Sequence, residues 1–79
     1  MDECQFFVIL FKSSSYAVQA ERTCRKAGIN VRLVPVPREL SSDCGICMRI
    51  HSADREATEQ AMAAGRCDFE RILPFGREE

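Results

Sequence analysis

Residues 5–11 read Gln-Phe-Phe-Val-Ile-Leu-Phe, and this stretch decides the fold. Its apolar side chains are consecutive rather than alternating, which predicts a strand buried on both faces at the centre of a sheet. A bilayer-spanning segment needs about 20 such residues, so we do not assign this run to a membrane. Asp2 and Glu3 precede it where a signal peptide would be basic, and we therefore expect no export signal.

Two segments with helical periodicity lie outward from this strand. The first, from Tyr16 to Ala27, follows Ser13, Ser14 and Ser15, any of which could cap it, and Gly28 ends it. The second starts after Ser52 or Asp54 and runs to about residue 64. Small side chains recur on one side of each helix: Ala17, Ala20, Cys24 and Ala27 in the first, and Ala57, Ala61 and Ala64 in the second.

Three further segments are predicted to be strands: residues 29–36, 46–51 and 69–74. Pro35 and Pro37 cannot donate to a sheet ladder, so the strand over 29–36 should lie at an edge. In residues 46–51, Ile46, Met48 and Ile50 share one face, and Cys47, Arg49 and His51 share the other.

The resulting order, βαββαβ, predicts an α+β fold of the split βαβ, ferredoxin-like kind. This fold has an antiparallel four-stranded sheet with both helices on one face, strands one and three being central. We expect a single domain over residues 1–79, with 74–79 a frayed tail. The apolar first strand suggests that the other face is an open surface for a homodimer or partner, unless a loop or tail folds over it.

Charge and cysteine content narrow the function classes. A net charge of −1 gives no strong electrostatic case for nucleic acid or for a membrane surface. The five cysteines are an odd number, and we expect no export signal, so we expect reduced thiols and a cytoplasmic location.

Cys44 and Cys47 form a Cys-x-x-Cys that allows several interpretations. A redox pair needs a turn at Gly45, because an extended chain would place the two Cα atoms about 10 Å apart. A zinc site would need about four ligands, and no second such pair is present, so we assign no metal. A dyad with His51 is disfavoured because the strand rise separates that residue from Cys47 by about 13 Å.

Cys44 lies where a polar loop meets a predicted central strand, and this favours exposure on a rigid support. Gly45 leaves the backbone beside it open to an anion, and Arg38 and Arg49 are candidate cationic neighbours that would stabilise a thiolate. Without an acid–base constellation, a carrier is favoured over an enzyme, and we expect no cofactor. An inert turn cysteine is the alternative.

The segments Ala-Val-Gln-Ala-Glu-Arg (17–22) and Gly-Ile-Asn-Val-Arg-Leu-Val-Pro-Val-Pro-Arg-Glu-Leu-Ser-Ser-Asp-Cys-Gly (28–45) resemble the selenium/sulfur carrier-like family. The resemblance runs from about Phe7 to Ile50 and is most specific over 35–45. It implies that Cys44 is the carrier thiol, loaded by a cysteine-desulfurase-type donor and unloaded by an acceptor protein. Cys47 departs from the family pattern, and it is either a resolving thiol or a neutral replacement. A non-catalytic interaction module and a Cys44–Cys47 redox protein remain the alternatives.

Overall fold

A computed structural model describes residues 6–36 and 45–75. These residues form the predicted order of elements, βαββαβ. The strands are β1 (Phe6–Leu10), β2 (Val31–Pro35), β3 (Ile46–His51) and β4 (Arg71–Pro74). The helices are α1 (Ser14–Lys26) and α2 (Arg55–Ala64), and a short 3-10 turn, Ser52–Asp54, leads into α2. Neither helix is long and apolar enough to cross a bilayer.

The strands form one antiparallel sheet in the order β2-β3-β1-β4, which confirms the ferredoxin-like prediction. β1 and β3 are central, as the consecutive apolar run and the absence of proline in both indicated. Pro35 lies in edge strand β2 and Pro74 in edge strand β4, where a missing N–H is tolerated. The central position fixes β3 between two hydrogen-bonded neighbours.

The main core lies between the sheet and the two helices. Ile9, Met48 and Ile50 project from the central strands into this layer, and each is at most 1% exposed. The small residues of α1 allow close approach to the sheet, and Ala17, Ala20 and Cys24 are completely buried, as the helical spacing predicted. We call this side of the sheet the helix-covered face.

The buried side of α2 differs from the alanine side identified in the sequence. Thr58 and Met62 are the buried residues of this helix, whereas Ala57 and Ala64 are exposed. The Thr58 hydroxyl donates to the Asp54 carbonyl oxygen at 2.7 Å, so its polar atom is satisfied without water. Met62 supplies the larger apolar surface, which explains why this side faces the core.

The opposite side, the helix-free face, is not open at its centre. Val8, Leu10 and Cys47 are completely buried there within one chain. Half-buried Val34, Val36 and Leu73 pack against them. The prediction of an open apolar surface is therefore wrong for this part of the sheet. That predicted surface was the reason for considering an interaction module or a homodimer.

The last strand starts later than predicted, and the residue after its end is hydrogen-bonded to the neighbouring strand. β4 begins at Arg71, so Phe69 precedes it and is 39% exposed. Beyond Pro74, the Phe75 N–H donates to the Phe6 carbonyl oxygen at 2.9 Å. Residues 74 and 75, assigned to a frayed tail, thus belong to the hydrogen-bonded sheet.

Candidate functional site

The described chain on either side of segment 37–44 is held together by the β2–β3 ladder. Pro35 pairs with Ile46, and the Val36 N–H donates to the Gly45 carbonyl oxygen at 3.2 Å. Antiparallel pairing therefore brings the two attachment points of the segment side by side at one end of the sheet. Cys44 directly precedes one of these points in the sequence.

Gly45 adopts a backbone conformation that other residues avoid. Its φ is +80°, in the left-handed region, and it lies at a bend just before β3. A Cβ atom built there would meet nothing within 4 Å, so backbone conformation rather than lack of space favours glycine.

The sequence named five candidate site residues, and three of them are described. Cys44 and Arg38 lie outside the described residues, so their roles stay predictions. Gly45 and Cys47 lie at the start of β3, next to the attachment of segment 37–44. Arg49 lies further along the same strand.

Cys47 is enclosed in the cluster on the helix-free face. Its side chain is 0% exposed and packs with Val8 and Leu10. Its Sγ lies 4.0 Å from the Pro35 carbonyl oxygen on β2, close enough for a weak S–H hydrogen bond. As predicted, it faces away from Met48 and the helix-covered core. A thiol in this position is reached by an external protein only if the sheet face opens.

Arg49 is directed toward the end of β3 that is remote from Gly45. Its guanidinium carbon lies 4.6 Å from the centroid of the Phe6 ring, and Phe6 is the β1 partner of His51. His51 itself is exposed, as predicted for a strand-end residue, and its ring centroid lies 5.0 Å from that of Phe6. The contact of Arg49 with Phe6 places its charge beside His51, and a role for Arg49 at the Cys44 thiol stays a prediction.

Two further thiols, Cys24 and Cys67, are free and buried on the helix-covered side. The Cys67 thiol donates to the Thr23 hydroxyl at 3.5 Å. Burial raises the pKa of the Cys24 thiol from 9.0 to about 11, and the neighbouring Cys67 adds to the effect. Cys24 is therefore protonated at neutral pH, and a protonated, enclosed thiol is a poor nucleophile.

Metal ligation finds no support within residues 6–36 and 45–75. No three His, Cys, Asp or Glu side chains of those ranges come together in a way that could hold a metal ion. His51 lies four residues along β3 from Cys47, so the Cα atoms of the two residues are about 13 Å apart at the rise of a strand. A direct Cys47–His51 dyad is therefore incompatible with the extended strand.

Comparison with known proteins gives one match. A family model described as "Putative Se/S carrier protein-like" matches residues 6–74. The match starts at the first residue of β1 and ends at the last residue of β4, so it includes every strand and both helices. No curated protein and no solved structure matches the chain.

Proposed function

The chain belongs to the Se/S carrier protein-like family, and on this premise we propose that it carries sulfur or selenium as a persulfide or selenosulfide on Cys44. The family match supports the class of function. The choice of residue is supported by the position of Cys44 next to Gly45 and by the burial of the described thiols.

The burial of the described thiols is the observation that carries the proposal. Cys24 and Cys47 are 0% exposed and Cys67 is 7% exposed. A sulfur donor is another protein, and its persulfide must come within bonding distance of the accepting sulfur. Only Cys4 and Cys44 are left as acceptors, and of these Cys44 adjoins Gly45 at the start of central strand β3.

The transfer needs one thiolate and no other catalytic group. The Cys44 thiolate attacks the outer sulfur of a donor persulfide, and the sulfur–sulfur bond of the donor breaks. The donor leaves as a thiolate, and Cys44 holds the sulfur as a persulfide; selenium would follow the same course. An acceptor nucleophile then takes the outer atom and releases the Cys44 thiolate. Both steps are exchange at sulfur, in which a low-pKa thiol is the better leaving group.

Cys47 has a secondary role in this proposal. Its thiolate could attack the inner sulfur of the Cys44 persulfide, forming a Cys44–Cys47 disulfide and releasing hydrosulfide. That step requires Cys47 to leave the cluster with Val8 and Leu10 in which it is buried. We therefore assign Cys47 to packing in the resting protein and expect it to resolve a persulfide slowly.

The proposed partners are a desulfurase-type donor and an acceptor protein, and the proposed location is the cytoplasm, where thiols stay reduced. A carrier must release one protein before it meets the other, so its contacts with both should be transient. A homodimer is not required, since the centre of the helix-free face is already buried within one chain.

Intact-mass spectrometry after incubation with a cysteine desulfurase and cysteine tests the proposal. We expect the wild type to gain the mass of one sulfur atom, which a reductant removes. Cys44→Ser should lose this gain. Cys24→Ser, which changes a buried thiol on the helix-covered side, is the matched control and should load as the wild type does.

Cys47→Ala separates the carrier from a dithiol redox protein. A carrier loads in this variant and holds the persulfide longer, because the resolving thiol is gone. Loading of Cys44→Ser to the wild-type level, or no loading of the wild type, would exclude Cys44 as the carrier thiol.

A further inference from the structure

Two arginines lie directly opposite each other on neighbouring strands. Arg32 of β2 pairs with Arg49 of β3 in the antiparallel register, so both side chains project from the helix-free face. The Cβ atoms of such a pair are about 5 Å apart, and like charges in this arrangement destabilise a sheet. A stable sheet with this pair calls for something that offsets the repulsion.

The described part of the chain provides no carboxylate for either arginine. Its two ion pairs are Arg25 with Glu21 and Arg55 with Glu59, both within helices. The guanidinium carbon of Arg49 lies over the face of the Phe6 ring, 4.6 Å from the ring centroid. An aromatic face attracts a cation but leaves the N–H donors in the plane of the guanidinium available.

A pocket of about 110 Å³ lies at this end of the sheet. Four of the side chains around it carry hydrogen-bond donors, and none of the side chains is acidic. Its lining consists of Phe6, Asn30, Val31, Arg32, Arg49, Ile50 and His51. The volume corresponds to three or four water molecules at about 30 Å³ each, far below the roughly 300 Å³ at which drug-sized ligand pockets begin.

We propose that this pocket binds a small tetrahedral oxyanion, phosphate or sulfate, either free or as the terminal group of a small molecule. The two guanidinium groups offer planar sets of donors that match such oxygens. The Asn30 amide and the His51 ring also line the pocket and supply further N–H donors. The Phe6 ring holds Arg49 and His51 in position, with contacts of 4.6 and 5.0 Å.

The oxyanion site is separate from the proposed carrier thiol. It lies where β2 begins and β3 ends, whereas Gly45 precedes the first residue of β3. The six residues of β3 span about 16 Å at the rise of a strand. Binding of an oxyanion is therefore testable without any sulfur donor, and its failure would leave the assignment of Cys44 unaffected.

Titration of the full chain with phosphate, followed by amide NMR shifts at constant ionic strength, tests this inference. We expect saturable shifts at Asn30, Arg32 and His51 with phosphate. Sulfate should give the same shifts if the site recognises only a tetrahedral shape and negative charge. A phosphorylated small molecule that binds more tightly than inorganic phosphate would identify the ligand as a terminal group rather than a free ion.

Arg32→Gln should weaken phosphate binding at least about tenfold, because it removes charge-assisted hydrogen bonds. The matched control is Arg22→Gln, which removes the same charge from the exposed side of α1 and should leave the affinity unchanged. Without phosphate, Arg32→Gln should unfold at the same or a higher temperature than the wild type, since it relieves repulsion from Arg49.

Three results would overturn the inference. The first is a wild-type response to phosphate and sulfate that does not saturate and is matched by chloride. The second is an equal loss of affinity in Arg22→Gln and Arg32→Gln, which would indicate attraction to overall charge. The third is saturable binding whose shifts lie away from β2 and β3.

Discussion

The two faces of the sheet are built from the same strands but differ in the side chains that they carry. The helix-covered face is apolar throughout, and it encloses the Cys24 and Cys67 thiols. The helix-free face is divided along its length. The small apolar cluster of Val8, Leu10 and Cys47 lies at its centre and toward Gly45, and the arginine pair of β2 and β3 lies toward the other end.

This difference shows how a thin domain places stabilising side chains on one face of a strand and polar side chains along part of the other. Side chains alternate between the faces along β3, so each residue on the helix-covered side anchors a neighbour on the other side. Met48, which is completely buried, lies between Cys47 and Arg49. The core thus fixes the positions of groups that it does not itself contact.

The strongest test of the comparison is whether the helix-free cluster contributes as much stability as the main core. Leu10→Ala should lower the free energy of unfolding by about 3 kcal/mol, because it removes a completely buried side chain. Ile9→Ala, its neighbour on the helix-covered face and equally buried, is the matched variant and should lose about as much. Urea denaturation measures both.

The free energy of unfolding could fall by less than about 1 kcal/mol in Leu10→Ala and by about 3 kcal/mol in Ile9→Ala. This result would contradict a contribution of the helix-free cluster equal to that of the main core. The helix-free face would then behave as a surface in solution, and its apolar centre would again be a candidate for a partner protein.

The protonation of Cys24 gives the next largest effect. Its pKa is raised from 9.0 to about 11 in the folded protein, so the folded state retains a proton that the unfolded state has lost. Its contribution to stability is complete below pH 9 and disappears as the pH rises to about 11. A shift of about two pKa units corresponds to roughly 3 kcal/mol.

The measurement is the free energy of unfolding from pH 8 to pH 11 in the wild type and in Cys24→Ala. The difference between the two proteins at each pH removes the contribution of every group that they share. We expect the stability advantage of the wild type to shrink with rising pH. A constant difference would mean that Cys24 is less enclosed than its position in the core indicates.

The smallest effect comes from two glycines that have the same conformation in different surroundings. Gly45 and Gly28 have φ of +80° and +82°, and neither has an atom within 4 Å of an added Cβ. Gly45→Ala and Gly28→Ala should therefore each lower stability by about 1 kcal/mol, the penalty of a left-handed alanine. Only Gly45→Ala should also slow sulfur loading, because only Gly45 adjoins Cys44.

Thermal unfolding and the rate of mass gain with a desulfurase separate these two effects. Equal slowing in both variants would assign the loading defect to general destabilisation. An unchanged loading rate in Gly45→Ala would argue against a role of this turn in presenting the thiol.

The sequence was informative where local pattern and position in the sheet agree. The consecutive apolar run of β1 and the prolines near the edges were sufficient to predict the strand order. Alternation placed Met48 and Cys47 on opposite faces of β3, and helical spacing placed Cys24 in the core. Each of these features depends on a residue and its near neighbours, which a sequence displays directly.

Other features depended on packing between distant segments. The sequence indicated that the alanine side of α2 would face the core. Thr58 is buried instead, because its hydroxyl donates to the Asp54 carbonyl oxygen. The burial of Leu10 likewise depends on neighbours such as Leu73, far away in the sequence.

The pocket beside the arginine pair was missed for a similar reason. Alternation along β2 and β3 puts Arg32 and Arg49 on the sides of their strands opposite Val31 and Met48. Only the register of pairing shows that they face each other. The signal that could have revealed this was an antiparallel alignment of the two alternating segments, which brings the polar positions of both strands together.

The hydrogen bond from Val36 to Gly45 has a consequence for protein engineering. Because the ladder joins the two strands at this point, any sequence put in place of residues 37–44 would start and end at the same hydrogen-bonded pair of strands. Doubling the length of such an insert adds only about 0.6 kcal/mol of closure entropy. Foreign thiol motifs inserted between Val36 and Gly45 would therefore be compared between the same two strand ends.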